Sequence, residues 1–84
     1  MVYVEDARYA GDYRLWIRLN TGVAGEVDLS DLVASEAAAA PLRDVAAFAQ
    51  FFLDAWPTVA WPCGFDVAPE SLERRLAAGT SRAA

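Results

Sequence analysis

The 84-residue chain has no histidine, no lysine, one cysteine and one methionine. Without histidine there is no Ser-His-Asp or Cys-His relay. A lone cysteine, Cys63, excludes an internal disulfide, and with no histidine beside it a zinc finger is excluded as well. Long apolar runs are also missing; none approaches the ~20 residues of a membrane-spanning helix. The start, Met1-Val2-Tyr3-Val4-Glu5-Asp6, carries acids where a secretory leader carries lysine or arginine. A cytoplasmic protein with no membrane contact is therefore expected. The five glycines are scattered and make no phosphate-cradling loop. No cofactor, metal or catalytic residue is expected, and the chain reads as a non-enzyme.

What is present suffices for a folded unit. Hydrophobic residues are 56% and charged residues 23%, which excludes a disordered tail. The length allows one domain, read as residues 1–79, with 80–84 as a loose tail. Seven arginines oppose twelve acids, for a net charge of −5. Residues 1–20 are balanced, with Arg8, Arg14 and Arg18 against Glu5, Asp6 and Asp12. Residues 21–72 hold Arg43 against eight acids, a net of −7. Such a segment repels phosphates, so no nucleic-acid binding is expected of the chain on its own. Arg74, Arg75 and Arg82 form a small basic spot and read as solvated charges near a helix C-terminus.

Along the chain, 2–9 is β-branched and aromatic and reads as a strand. Ala10-Gly11-Asp12 is a turn. Tyr13, Leu15, Ile17 and Leu19 then alternate with Arg14, Trp16 and Arg18, a period of two that marks a strand with one buried face. After Asn20-Thr21-Gly22 a third strand follows, with Val23, Gly25, Val27 and Leu29 on one side. The three make an antiparallel meander. Asp28 or Ser30 can cap a helix over 30–38. The alanine run 37–40 favours helix, and Pro41 is expected to end it. Phe48, Phe51, Phe52, Ala55 and Trp56 fit one helical face, yet residues 50–54 also fit a strand. Periodicity alone slightly favours a helix over 43–55. Pro62-Cys63-Gly64 is a tight turn, and Pro69 suits the first position of a last helix closed by Gly79.

The segment Trp61-Pro62-Cys63-Gly64-Phe65-Asp66-Val67-Ala68-Pro69-Glu70-Ser71-Leu72 resembles the C-terminal signature of a small, mostly bacterial family catalogued as domain of unknown function 2442. Gly22, Val27-Asp28-Leu29, Pro41-Leu42-Arg43-Asp44 and Phe48 extend the resemblance over about 2–76. Cys63 departs from it, since relatives commonly carry asparagine or another polar turn residue there. The resemblance implies an α+β fold and a strand at 50–54 paired with 58–61, with Trp56-Pro57 in the turn. It implies no established activity. Some relatives resemble the antitoxin side of toxin–antitoxin pairs; others carry this domain ahead of a helix-turn-helix domain.

Two groups of residues remain as candidates. Trp61, Gly64, Asp66, Pro69 and Glu70 form either a ligand site or a structural motif, in which Asp66 folds back to cap the last helix because Ala68 has no side-chain oxygen. Arg14, Trp16 and Arg18 share a strand face, the composition of a protein-contact surface. Glu26 and Asp28 face the same way but lack the oxygen-rich company of a cation site. Cys63 has no base near it and reads as a spectator thiol. The expected fold is α+β: a three-stranded meander, a short helix, a hairpin and a C-terminal helix on the sheet. The expected role is a non-catalytic interaction or regulatory module, homo-oligomeric, with a protein partner encoded nearby as in a two-gene system. The alternatives are a ligand-sensing domain with a cleft near Trp61 and Asp66, and an enzyme of unknown type.

Overall fold

The meander begins where alternation is strongest. In β2 (Arg14–Leu19) Leu15, Ile17 and Leu19 are wholly buried, while Arg14 and Arg18 are exposed. β2 is the middle strand, flanked by β1 (Val4–Gly11) and β3 (Ala24–Asp28), both antiparallel to it. The β1–β2 reversal uses Asp12 at φ 49°, a left-handed conformation that aspartate tolerates. Asn20 secures the start of the chain: its Oδ1 accepts the Tyr3 N–H at 2.8 Å and its Nδ2 donates to the Met1 carbonyl at 2.9 Å. β1 forms one margin of the sheet. Its register shifts between Val4 and Asp6, and Asp6 Oδ1 accepts the Ala7 N–H at 2.9 Å.

The computed structural model describes residues 1–55 and 57–78. Trp56, the expected closure at Gly79 and the expected tail over 80–84 lie outside the described residues. The architecture is α+β, with two small sheets and helical segments between and after them. α1 spans Ser30–Ser35. Its N-cap is Leu29, without a side-chain cap hydrogen bond, so neither Asp28 nor Ser30 takes the expected capping position; Asp28, one residue earlier, accepts the Ser30 N–H on its Oδ1 at 2.9 Å. Arg43 supplies the stop: its Nε and Nη2 each donate at 3.0 Å, to the Val33 and Ala34 carbonyls. A helix end leaves those acceptors unsatisfied, and an arginine there also suits the dipole.

The alanine run departs from expectation. Residues Ala37–Arg43 form a 3₁₀ helix, with Pro41 inside it rather than at its end. Proline cannot enter an α-helical interior without losing a hydrogen bond and meeting the carbonyl four residues back. The tighter winding buries Ala39 and Leu42. Asp44 then accepts the Ala46 N–H at 3.1 Å and starts α2 (Val45–Phe48). The amphipathic pattern thus yields one turn of helix, and Phe48 is its wholly buried residue.

Beyond it, β4 (Phe52–Leu53) pairs antiparallel with β5 (Val59–Ala60), matching Phe52 to Ala60 and Leu53 to Val59. The strand expected from the family resemblance is therefore present, and the helix over 43–55 is not. A further strand, β6 (Asp66–Val67), completes the second sheet beside β5. Thr58, buried at the hairpin, donates its hydroxyl to the Val67 carbonyl. Val4 N–H donates to the Pro57 carbonyl at 2.9 Å, joining the two sheets.

α3 (Pro69–Ala77) lies against β3. Its Leu72 is wholly buried and its Leu76 packs against the same core. Gly25 permits this approach, since a Cβ there would sit 3.2 Å from Leu76 Cδ2. The core gathers Val4, Leu15, Ile17, Leu19, Val27, Leu29, Phe48, Val59, Trp61 and Leu72. Val23, expected to point inward with Val27, is exposed instead: it belongs to the turn ahead of β3.

Candidate functional site

The outer face of the first sheet is built by strand parity. Trp16, half-buried, stands at its centre, between Arg14 and Arg18 on the same strand. Register places Arg8 and Glu26 on either side of it. The Arg8 guanidinium carbon lies 5.7 Å from the centroid of the Trp16 ring, within cation–π range. Acids surround these arginines. Arg8 meets Asp6 at 3.5 Å, Arg14 meets Glu26 at 3.6 Å and Asp12 at 3.9 Å, and Arg18 meets Glu5 at 3.5 Å. All four contacts are long and solvent-exposed, and such pairs stabilise a fold by only ~0–1 kcal/mol. The arginines can therefore leave them at little cost. The predicted surface of Arg14, Trp16 and Arg18 is thus assembled, with Arg8 added. The signal for Arg8 lay in cross-strand register, which the bulge in β1 sets and local sequence does not reveal.

The second group is divided by the fold. Trp61 is core: its side chain is 2% exposed and its Nε1 donates to the Phe48 carbonyl at 2.7 Å. Its ring lies 5.4 Å from Phe48 and 5.8 Å from Phe65. Gly64, at φ 100°, makes the turn that lets the Trp61 N–H reach the Phe65 carbonyl at 2.9 Å. Asp66 sits exposed on β6 and does not cap the last helix; the N-cap of α3 is Ala68, without a side-chain hydrogen bond. The expected capping fails because Asp66 is committed to extended pairing with Ala60. Pro69 opens α3, and Glu70 lies in its first turn, where its charge suits the dipole.

Asp66 instead borders a cleft of about 230 Å³, lined also by Leu32, Glu36, Phe65, Val67, Ala68 and Ser71. Of the two residues expected beside a cleft, Asp66 borders this one and Trp61 does not, and its α1 wall left no signal in the sequence. Leu32 and Glu36 are some thirty residues away in the chain, and nothing local links them to β6.

The basic spot expected at the C-terminal end also changes. Arg75 is drawn inward to grip Asp31, at 3.0 Å (Nη1–Oδ1) and 2.7 Å (Nη2–Oδ2), and its Nη1 donates to the Asp28 carbonyl at 3.0 Å. The Arg75 hydrogen bond is the main reason the Asp31 carboxyl lies below its ordinary range, against a smaller opposing effect of burial. Cys63 is free and exposed. Among the described residues no group of three or more His, Cys, Asp or Glu is placed to hold a metal ion, and no helix is long and apolar enough to cross a membrane.

The model of a family described as a protein of unknown function, DUF2442, matches residues 4–78. Among curated proteins none matches the chain significantly. Among solved structures, the chain is similar to a Nitrosomonas europaea protein provisionally named as DNA binding. The TM-score is 0.66 at 28% identity, over 74% of this chain and 41% of that one. The chain thus spans less than half the length of that protein. This likeness corrects the expectation of no nucleic-acid contact. The summed charge of 21–72 is a poor guide because a segment total says nothing of placement: its acids are spread over β3, α1, the start of α2, β6 and α3 rather than gathered on one face.

Proposed function

The chain belongs to the DUF2442 family, and from that premise we propose that it is a non-catalytic regulatory module of a DNA-binding assembly. It engages its protein partner through the outer face of β1, β2 and β3. The observation that carries this reading is the Trp16 ring held among Arg8, Arg14 and Arg18 at the centre of an exposed sheet face. Tryptophan and arginine dominate the energetics of protein contacts, and these arginines are held only by weak, exposed ion pairs. The DNA-binding context rests on the structural likeness. The partner is a second copy of the chain or the product of a neighbouring gene, as in an accessory or antitoxin-like pair, and the setting is the bacterial cytoplasm.

The test is cross-linked capture of the tagged chain from its host, reading both co-purifying protein and co-purifying DNA. One protein and a defined DNA region should accompany the wild-type chain. A folded Trp16→Ala variant should lose both. Retention of both by that variant refutes the reading.

The cleft supports a second reading, a sensing role for a small ligand beside Asp66. Saturable binding of a metabolite there, with no dependence on Trp16, would favour it over the first.

A further inference from the structure

We propose that the cleft between α1, β6 and the start of α3 recognises a guanidinium or alkylammonium group. This rests on the sensing reading of the cleft and is independent of the sheet-face reading. A volume of about 230 Å³ admits one group the size of an arginine side chain or a short diamine. One wall is aromatic: Phe65 is half-buried, and its ring is braced 5.8 Å from the buried ring of Trp61. Leu32, Val67 and Ala68 supply apolar surface for a methylene stem. Glu36 and Asp66 reach the cleft from different elements, the C-cap of α1 and strand β6.

Five of the arginines are engaged elsewhere. Arg8, Arg14 and Arg18 lie on the outer face of the first sheet, Arg43 binds the α1 carbonyls, and Arg75 holds Asp31. Neither Glu36 nor Asp66 meets a cation among the described residues. An aromatic wall attracts a cation through its ring quadrupole, and carboxylates on the rim add charge-assisted hydrogen bonds. An anion gains neither. The start of α3 does not reverse this preference. The Ser71 and Leu72 N–H groups turn back to the Ala68 carbonyl at 3.0 and 3.2 Å, and Glu70 stands in the same turn.

The experiment is a titration of the ¹⁵N-labelled chain, followed by amide shifts. The probes are agmatine, putrescine and an end-blocked Gly-Arg-Gly peptide, with acetate as the anion control. Saturable shifts should be confined to Leu32–Glu36 and Phe65–Ser71. Asp66→Asn and Glu36→Gln should each weaken binding about two- to fivefold. Both side chains are exposed, so the melting temperature should hold. Tighter binding of the peptide than of agmatine identifies the cation as a side chain of a polypeptide; the reverse identifies a free amine. Equal shifts in wild type and both variants overturn the proposal. If acetate alone shifts these residues, the cation class is refuted and the sensing reading survives. If no probe shifts them, the proposal falls, and a metabolite screen then decides the sensing reading separately.

Discussion

Trp61 shows how a residue can look functional and act structurally. It is large, part of a family signature and placed next to a turn, yet it lies inside the core with its one polar atom satisfied. Trp61→Ala should cost ~3–5 kcal/mol, a large share of a small domain's total stability. Urea denaturation followed by circular dichroism should find the variant unfolded or nearly so. Trp61→Phe keeps most of the apolar contact but leaves the Phe48 carbonyl without its donor, for a loss of ~1–3 kcal/mol. Gly64→Ala isolates a different cost. Nothing lies within 4 Å of an added Cβ, so the expected ~1–3 kcal/mol loss is backbone strain at φ 100° alone. Cys63→Ser should change stability by less than about 0.5 kcal/mol in the same assay, since the thiol is exposed and unpaired with another sulfur.

At the scale of elements, α1 and α3 are tied by the Asp31–Arg75 pair, and this tie predicts a pH dependence. The Asp31 carboxyl is depressed below its ordinary value of 3.8, so the unfolded chain holds the extra proton in acid. The pair's contribution is complete above that ordinary value and disappears as pH falls through the lower folded one. Asp31 is 65% exposed, so solvent screening keeps the contribution within ~0–1 kcal/mol. Asp31→Asn should lower the melting temperature slightly at neutral pH and flatten its fall below about pH 4. Equal acid sensitivity in both proteins would refute the assignment. Elements with a strict local period were legible beforehand, above all β2 and the α3 face of Leu72 and Leu76. The segment 37–43 was not, because alanine propensity and the proline constraint conflict, and burial of Ala39 and Leu42 settles the matter in favour of tight winding. Two-residue strands such as β4 and β6 carry too little pattern to be seen alone.

Across the whole molecule, the meander was readable from neighbouring residues, whereas the β4–β5 hairpin came through family resemblance, and β6 and the cleft hardly at all. Contacts such as that between Val4 and Pro57, or the shared lining of Leu32 and Phe65, join distant parts of the chain and leave no local trace. The sheet face was half legible for the same reason: Trp16 and its two strand neighbours share parity, but Arg8 arrives from β1. Sedimentation velocity offers a check at this scale. If copies meet through this face, Trp16→Ala should sediment as a monomer at concentrations where the wild type associates, with its melting temperature nearly unchanged. Association that survives the substitution would place the contact elsewhere.

The bulge near the start of β1 bears on how the protein survives crowding. An open strand margin is a template on which a foreign strand can register and grow. Here Asp6 disturbs the register and occupies the Ala7 N–H with its own carboxylate. An incoming strand meets a negative charge and one missing donor where it would need an even row. At that margin the deterrent to strand addition thus includes a side chain that is no part of the core.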